Sequence, residues 1–251
     1  MPELPEDIGE FAEGGDFERV KAWLAGGTAS APRSVNDGDI TDWTLLMWTA
    51  RTRDTSLEHV EFARYLLSQG AQVNARSLSG YTALHIACGM GRTGATAALV
   101  SVLIAAGAAV NVETDNGHTP LFLICEAFDS SIDVVTHLLR AGASLDSPTQ
   151  SFEEHLNHNY WPDTEDVVAI RNLVASVRAA GSWKAHCRLA HKQVLRLRSL
   201  VARGRVKLTS RTRRRSPRGR DARQKRALEF VVRQGDNGIV WHILSYWRET
   251  G

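Results

Sequence analysis

The sequence predicts an all-α fold: a solenoid of stacked helix-turn-helix units with short turn tips, followed by C-terminal helices. Two observations carry this expectation. A helix-opening octapeptide recurs three times, as Trp43-Thr44-Leu45-Leu46-Met47-Trp48-Thr49-Ala50, Tyr81-Thr82-Ala83-Leu84-His85-Ile86-Ala87-Cys88 and His118-Thr119-Pro120-Leu121-Phe122-Leu123-Ile124-Cys125. Each copy is followed by a second apolar-periodic stretch and a common ending: Leu66-Leu67-Ser68-Gln69-Gly70-Ala71, Leu103-Ile104-Ala105-Ala106-Gly107-Ala108 and Leu138-Leu139-Arg140-Ala141-Gly142-Ala143. Self-similarity of this kind marks units that cannot bury their apolar faces alone and must stack.

Each position in the unit has a physical reason. Thr44, Thr82 and Thr119 stand where a side-chain oxygen is expected to cap a helix start. Pro120 follows at a first helical position, where its missing N–H costs nothing. Ala50 and Ala87 allow close helix approach, and Gly70, Gly107 and Gly142 end the second helices where a left-handed residue is needed. Val73-Asn74, Val110-Asn111 and Leu145-Asp146 close the units. The repeats are placed at about 36–75, 76–112 and 113–147. A leading half-repeat is placed at 6–27, on the stripe Phe17, Val20, Trp23, Leu24 and the stop Gly26-Gly27.

This pattern resembles the ankyrin repeat, whose first helix opens T-P-L-H-x-A. The resemblance covers about residues 36–147. Leu45 and Ala83 stand in place of Pro, and Met47 and Phe122 in place of His. Thr44 to Gly70, Thr82 to Gly107 and Thr119 to Gly142 span 26, 25 and 23 residues, longer than the family's ~21 within its period of 33. The extra residues are expected between the paired helices.

Past residue 147 the pattern decays. Residues 148–206 are read as a degenerate repeat (Phe152, Leu156, Val167, Val168, Ile170, Leu173, Val174, Val177, ending at Gly181) and a helical cap with Ala190, Val194, Leu197 and Val201 on one side. Residues 207–226, from Lys207 to Arg226, hold ten Lys and Arg against one acid, Asp221, and are read as a disordered basic linker. Residues 227–251 are read as a C-terminal helical segment broken by a turn at Gly235-Asp236-Asn237-Gly238. The tail, from Ala179-Ala180-Gly181-Ser182-Trp183 to Trp241-His242-Ile243-Leu244-Ser245-Tyr246-Trp247, also resembles uncharacterised ankyrin-repeat proteins of unicellular algae, a likeness that implies no activity.

Charge is sharply divided. Residues 1–170 carry 9 Lys and Arg against 24 Asp and Glu, a net of −15, whereas residues 171–251 carry 21 against 4, a net of +17. No apolar run is long enough to span a membrane, and the acidic start does not resemble a secretory signal. Three widely spaced cysteines, Cys88, Cys125 and Cys187, suit reduced thiols, so a cytoplasmic or nuclear location is expected.

Apparent catalytic motifs fail on context. Gly89-Met90-Gly91-Arg92-Thr93-Gly94 fits a dinucleotide fingerprint, but that motif needs a strand before it and a helix opening at it. The same stretch resembles a tyrosine phosphatase loop, with Trp161-Pro162-Asp163 as its acid loop, yet the nucleophile's position holds Ile86, and Cys88 is only four residues from Arg92. His155, His158, His186, Cys187 and His191 match no common zinc spacing. No enzyme activity, cofactor or metal is expected.

The resemblance implies a protein-binding scaffold that uses the turn tips and the inner faces of the first helices. Position in the repeat gives tip residues Ile40, Thr41 and Trp43, then Leu78, Ser79 and Tyr81, then Asp115, Asn116 and His118. The helix-face positions are Arg51 and Thr52, Gly89 and Met90, and Glu126 and Ala127. Trp43, Tyr81 and His118 share one place in successive units and are expected to form a ladder, either as interface anchors or as packing between tips. Two alternatives remain open at this point. Residues 239–247, apolar all round, suggest either a helix that docks onto residues 188–203 or an adaptor that recruits a ubiquitin ligase. The run 207–226 suggests non-specific nucleic-acid binding, an import signal or a plain linker.

Overall fold

The computed structural model describes residues 4–27, 33–51, 55–90, 94–124, 131–146, 152 and 165–202. The chain divides into two compact units, 1–183 and 184–251. In the first unit the described helices are α1 (Glu6–Gly14), α2 (Phe17–Ala25), α3 (Leu45–Ala50), α4 (Leu57–Ser68), α5 (Ala83–Met90), α6 (Gly94–Ala105), α7 (Pro120–Leu123), α8 (Ile132–Arg140) and α9 (Glu165–Ala180). Helix α10 (Trp183–Ala202) opens on the last residue of the first unit, and its residues 184–202 are the described part of the second. The linker at 207–226 and the segment 227–251, on which the ligase-adaptor reading rests, lie outside the described residues.

The helices pair within units and stack between them. α1 packs on α2, α3 on α4 and α5 on α6. One layer runs α1, α3, α5, α7, and a second runs α4, α6, α8, α9. The core lies between the layers, built from Ile8, Leu45, Leu46, Leu66, Leu84, Leu99, Leu103, Leu121, Leu138, Ile170 and Val174. Each such aliphatic residue contributes about 1.5–3 kcal/mol by leaving water. The first layer is tight where α1 meets α3: a Cβ on Gly9 would lie 2.6 Å from the Trp48 indole.

The recurring Leu-Leu-x-x-Gly-Ala ending is a Schellman closure. Gly70, Gly107 and Gly142 take φ of 87°, 89° and 92°, where an L side chain is strained. Ala71, Ala108 and Ala143 donate to the carbonyls of Leu66, Leu103 and Leu138 at 3.0, 3.0 and 2.9 Å. Gly181 repeats the conformation at the end of α9.

Asparagine side chains tie each unit to the next. Asn74 donates to the Gly107 carbonyl at 3.0 Å and accepts from the Ala109 N–H at 2.8 Å. Asn111 does the same with Gly142 and Ser144, at 3.1 and 2.8 Å. Asn36 does so with Gly70 and Gln72, at 3.1 and 2.7 Å. The leading segment therefore ends on the same Val-Asn device, Val35-Asn36, and its residues 6–25 hold two helices, a full pair rather than half of one. At the fourth position stands Asp146, which cannot donate; its carboxylate accepts instead from Arg178 of α9, 2.8 Å away. Phe152 is buried against Phe122, with ring centroids 5.6 Å apart, and its N–H reaches the Leu145 carbonyl at 2.8 Å.

The threonine caps require a correction. Thr44 and Thr119 do occupy N-cap positions with extended backbone, but neither side chain bonds a helix N–H. Both hydroxyls are buried without a hydrogen-bond partner. Thr82 instead places its hydroxyl 2.9 Å from His85 Nδ1. The cause is the residue three positions on: His85 offers a ring nitrogen, whereas Met47 and Phe122 offer none.

Among the described residues, β structure is limited to turns and isolated pairings such as Gly38 with Thr44. No described helix is long and apolar enough to cross a membrane.

Candidate functional site

The tips are built by short polar side chains at equivalent places. The Asp39 carboxylate accepts from the Thr41 N–H (2.7 Å), the Thr41 hydroxyl (2.6 Å), the Trp43 N–H (3.0 Å) and the Trp48 indole N–H (3.1 Å). Ser77 and Thr114 play the lesser role in the next two tips, accepting from the N–H groups of Tyr81 and His118 at 3.1 and 3.2 Å. Asp42 takes φ 58° where the later tips use Gly80 and Gly117 at 78° and 79°, a conformation Asp tolerates better than most residues. The tips are joined in series: Leu78 N–H donates to the Thr41 carbonyl at 3.0 Å, and Asp115 N–H to the Ser79 carbonyl at 3.2 Å.

Joined tips and first helices enclose a groove of about 870 Å³. Its lining includes Ile40, Thr41, Trp43, Arg51, Leu78, Ser79 and Met90, seven positions named from repeat register alone. Ile40 is 82% exposed and Leu78 65% exposed, with Met90 also open to solvent. Trp43 is half-buried, 5.4 Å from Trp48. The Arg51 guanidinium lies 5.8 and 5.0 Å from the centres of these two rings, and Nη1 is 3.0 Å from Glu13 Oε2.

The remaining candidates fall elsewhere. Tyr81 is half-buried against its own unit's His85, 6.0 Å between centroids. Asp115, exposed like Asn116, faces Arg76 at 3.5 Å. His118 is half-buried, and its carbonyl lies 3.2 Å from His85 Nε2. Trp43 and Tyr81 each pack on a ring inside their own unit, and His118, like Tyr81, is outside the groove's lining. Glu126, Thr52 and Ala127 lie outside the described residues. Repeat register missed Leu4, Pro5, Glu6, Asp39 and Trp48, which also line the groove. Trp48 had a visible signal, a large ring in the variable position of the T-P-L-H-x-A pattern; Leu4 to Glu6 come from a neighbouring unit and had none.

Behind the groove His85 locks the second unit to the third. Its Nδ1 accepts from Thr82, leaving Nε2 to donate toward the Val112 and His118 carbonyls at 2.9 and 3.2 Å. Burial lowers its pKa to about 4, more than those two carbonyls raise it; Arg76 and His118 lower it further. The residue is neutral at pH 7. Cys88 is fully buried in α5, and burial pushes its thiol pKa up, the opposite of an activated nucleophile. Gly89 belongs to the same helix, so a helix rather than a strand leads into the glycine motif. His155 and His158 lie outside the described residues, and among the described ones no three His, Cys, Asp or Glu side chains group for a metal.

A family model described as ankyrin repeats (3 copies) matches residues 10–101 and 58–149, more than half of the chain. The chain belongs to the ankyrin-repeat family. No curated protein matches it. Ankyrin repeats are in general protein–protein interaction modules. The matched span begins at residue 10, inside the leading helix pair of this ankyrin protein.

Proposed function

We propose that the protein is a non-catalytic scaffold that binds a partner protein in the groove between its first two tips and first helices. The observation that carries this reading is the convergence of exposed Ile40 and Leu78 with Met90 in one groove at the positions repeat register named. Apolar side chains left in water on a rigid concave surface suit anchors for a partner. Backbone groups of the adjoining tips already bond one another, so side chains supply the recognition. The occupant is an exposed partner segment with apolar side chains for Ile40, Leu78 and Met90. Basic flanks suit it, because residues 1–170 carry a net −15 and Arg51 is already held by Glu13.

The test places a photo-crosslinking amino acid at Ile40 or Leu78 in the groove, and at Glu58 on α4 as a control. Crosslinks to a partner from both groove positions, abolished when the other position carries a glutamate, support the reading. Equal crosslinking from Glu58, or partner binding unchanged in the variant I40E/L78E, would move the site elsewhere.

A further inference from the structure

We infer that α10 is a backbone-binding helix for duplex nucleic acid. From residue 167 to residue 220 the chain contains sixteen Lys and Arg and no Asp or Glu. Such a tract has no internal counter-charge, so its field adds up rather than cancelling. Lys184, Arg188 and Lys192 are exposed on α10 at four-residue intervals. That spacing sets them about 6 Å apart along the axis, within an arc of about 80°. The cations thus form a stripe along one face of the helix.

Two further features choose the ligand. Trp183, the ring that opens α10, is half-buried against the core, and no aromatic lies between it and Phe230, so the cationic face of the helix has no ring on which a single-stranded base would stack. Past Trp183 the helix also lacks the Trp and Phe that help anchor basic helices in a lipid interface, and its exposed apolar side chains among the described residues are Leu189 and Leu195. A regular polyanion that needs only its phosphates contacted fits what remains, and duplex backbone is one. The acidic first unit repels that ligand, which confines contact to the second.

The experiment measures binding of the full chain to a fluorescent 20-base-pair duplex of arbitrary sequence across a range of KCl concentrations. The variant K184Q/R188Q/K192Q removes three charges at exposed positions, and circular dichroism confirms its helix content. The expected result is a salt slope, log K against log [KCl], shallower by about 2.7, at ~0.9 for each phosphate no longer neutralised, with affinity at 0.1 M salt reduced more than about tenfold. The charge-keeping variant K184R/K192R should bind as the parent does. An unchanged slope in the triple variant would overturn the inference by assigning all binding to residues beyond the helix. So would failure of the parent to bind duplex, a weakening in K184R/K192R as large as in the triple variant, or displacement of the duplex by vesicles of phosphatidylserine and phosphatidylcholine at matched charge, which would make the ligand a membrane.

Discussion

One substitution, Thr to Val, should have opposite signs at equivalent positions of successive repeats. Thr44, Thr82 and Thr119 each stand buried at the start of a first helix. The hydroxyls of Thr44 and Thr119 have no partner, whereas that of Thr82 lies 2.9 Å from His85 Nδ1. A buried, unmade hydrogen bond costs about 1–3 kcal/mol, and a methyl in its place gains from burial as well. Thr44→Val and Thr119→Val should therefore stabilise by about 1 kcal/mol each, at φ of −85° and −83° that a β-branched residue accepts readily. Thr82→Val should destabilise by about 1 kcal/mol, because His85 Nδ1 keeps only the Thr82 N–H at 3.2 Å. Chemical denaturation would show midpoints on opposite sides of the parent, and thermal melts should shift by about 2–4 °C for each kcal/mol. If Thr44→Val and Thr119→Val lose stability as Thr82→Val does, the hydroxyls have partners and the account of the missing histidines is wrong.

His85 also makes stability depend on pH. Its folded pKa, about 4, is below the ordinary 6.5, so the unfolded chain binds the extra proton between those values. Its contribution is fully present above pH 6.5 and is lost as pH falls toward and through about 4, with a slope of up to about 1.4 kcal/mol per pH unit. His85→Met should flatten that part of a pH–stability curve, and an unchanged curve would refute the assignment. Ile40→Glu and Leu78→Glu should leave stability within about 0.5 kcal/mol, since both side chains are mainly in solvent. Trp43→Ala should lower the denaturation midpoint measurably, because the ring packs on Trp48 and under Arg51. Gly9→Ala should destabilise despite its better helix propensity, because the added Cβ meets the Trp48 ring; a gain in stability would show that α1 can move away.

The sequence by itself determined the units, their helix ends and the side on which the tips lie. These features are local: a Schellman closure needs only Leu, Gly and Ala at fixed offsets, and period alone aligns Ile40 with Leu78. Tertiary structure decided what each aligned side chain meets. Trp43, Tyr81 and His118 share a register, yet Trp43 turns to Trp48 and Tyr81 to His85, because the residue inside each first helix differs. Thr44 and Thr82 look alike in the chain, and only a histidine three residues on separates a stranded hydroxyl from a bonded one. The groove wall from Leu4 to Glu6 was likewise invisible, since a contact between neighbouring units depends on how helices stack and leaves no periodic trace in either segment.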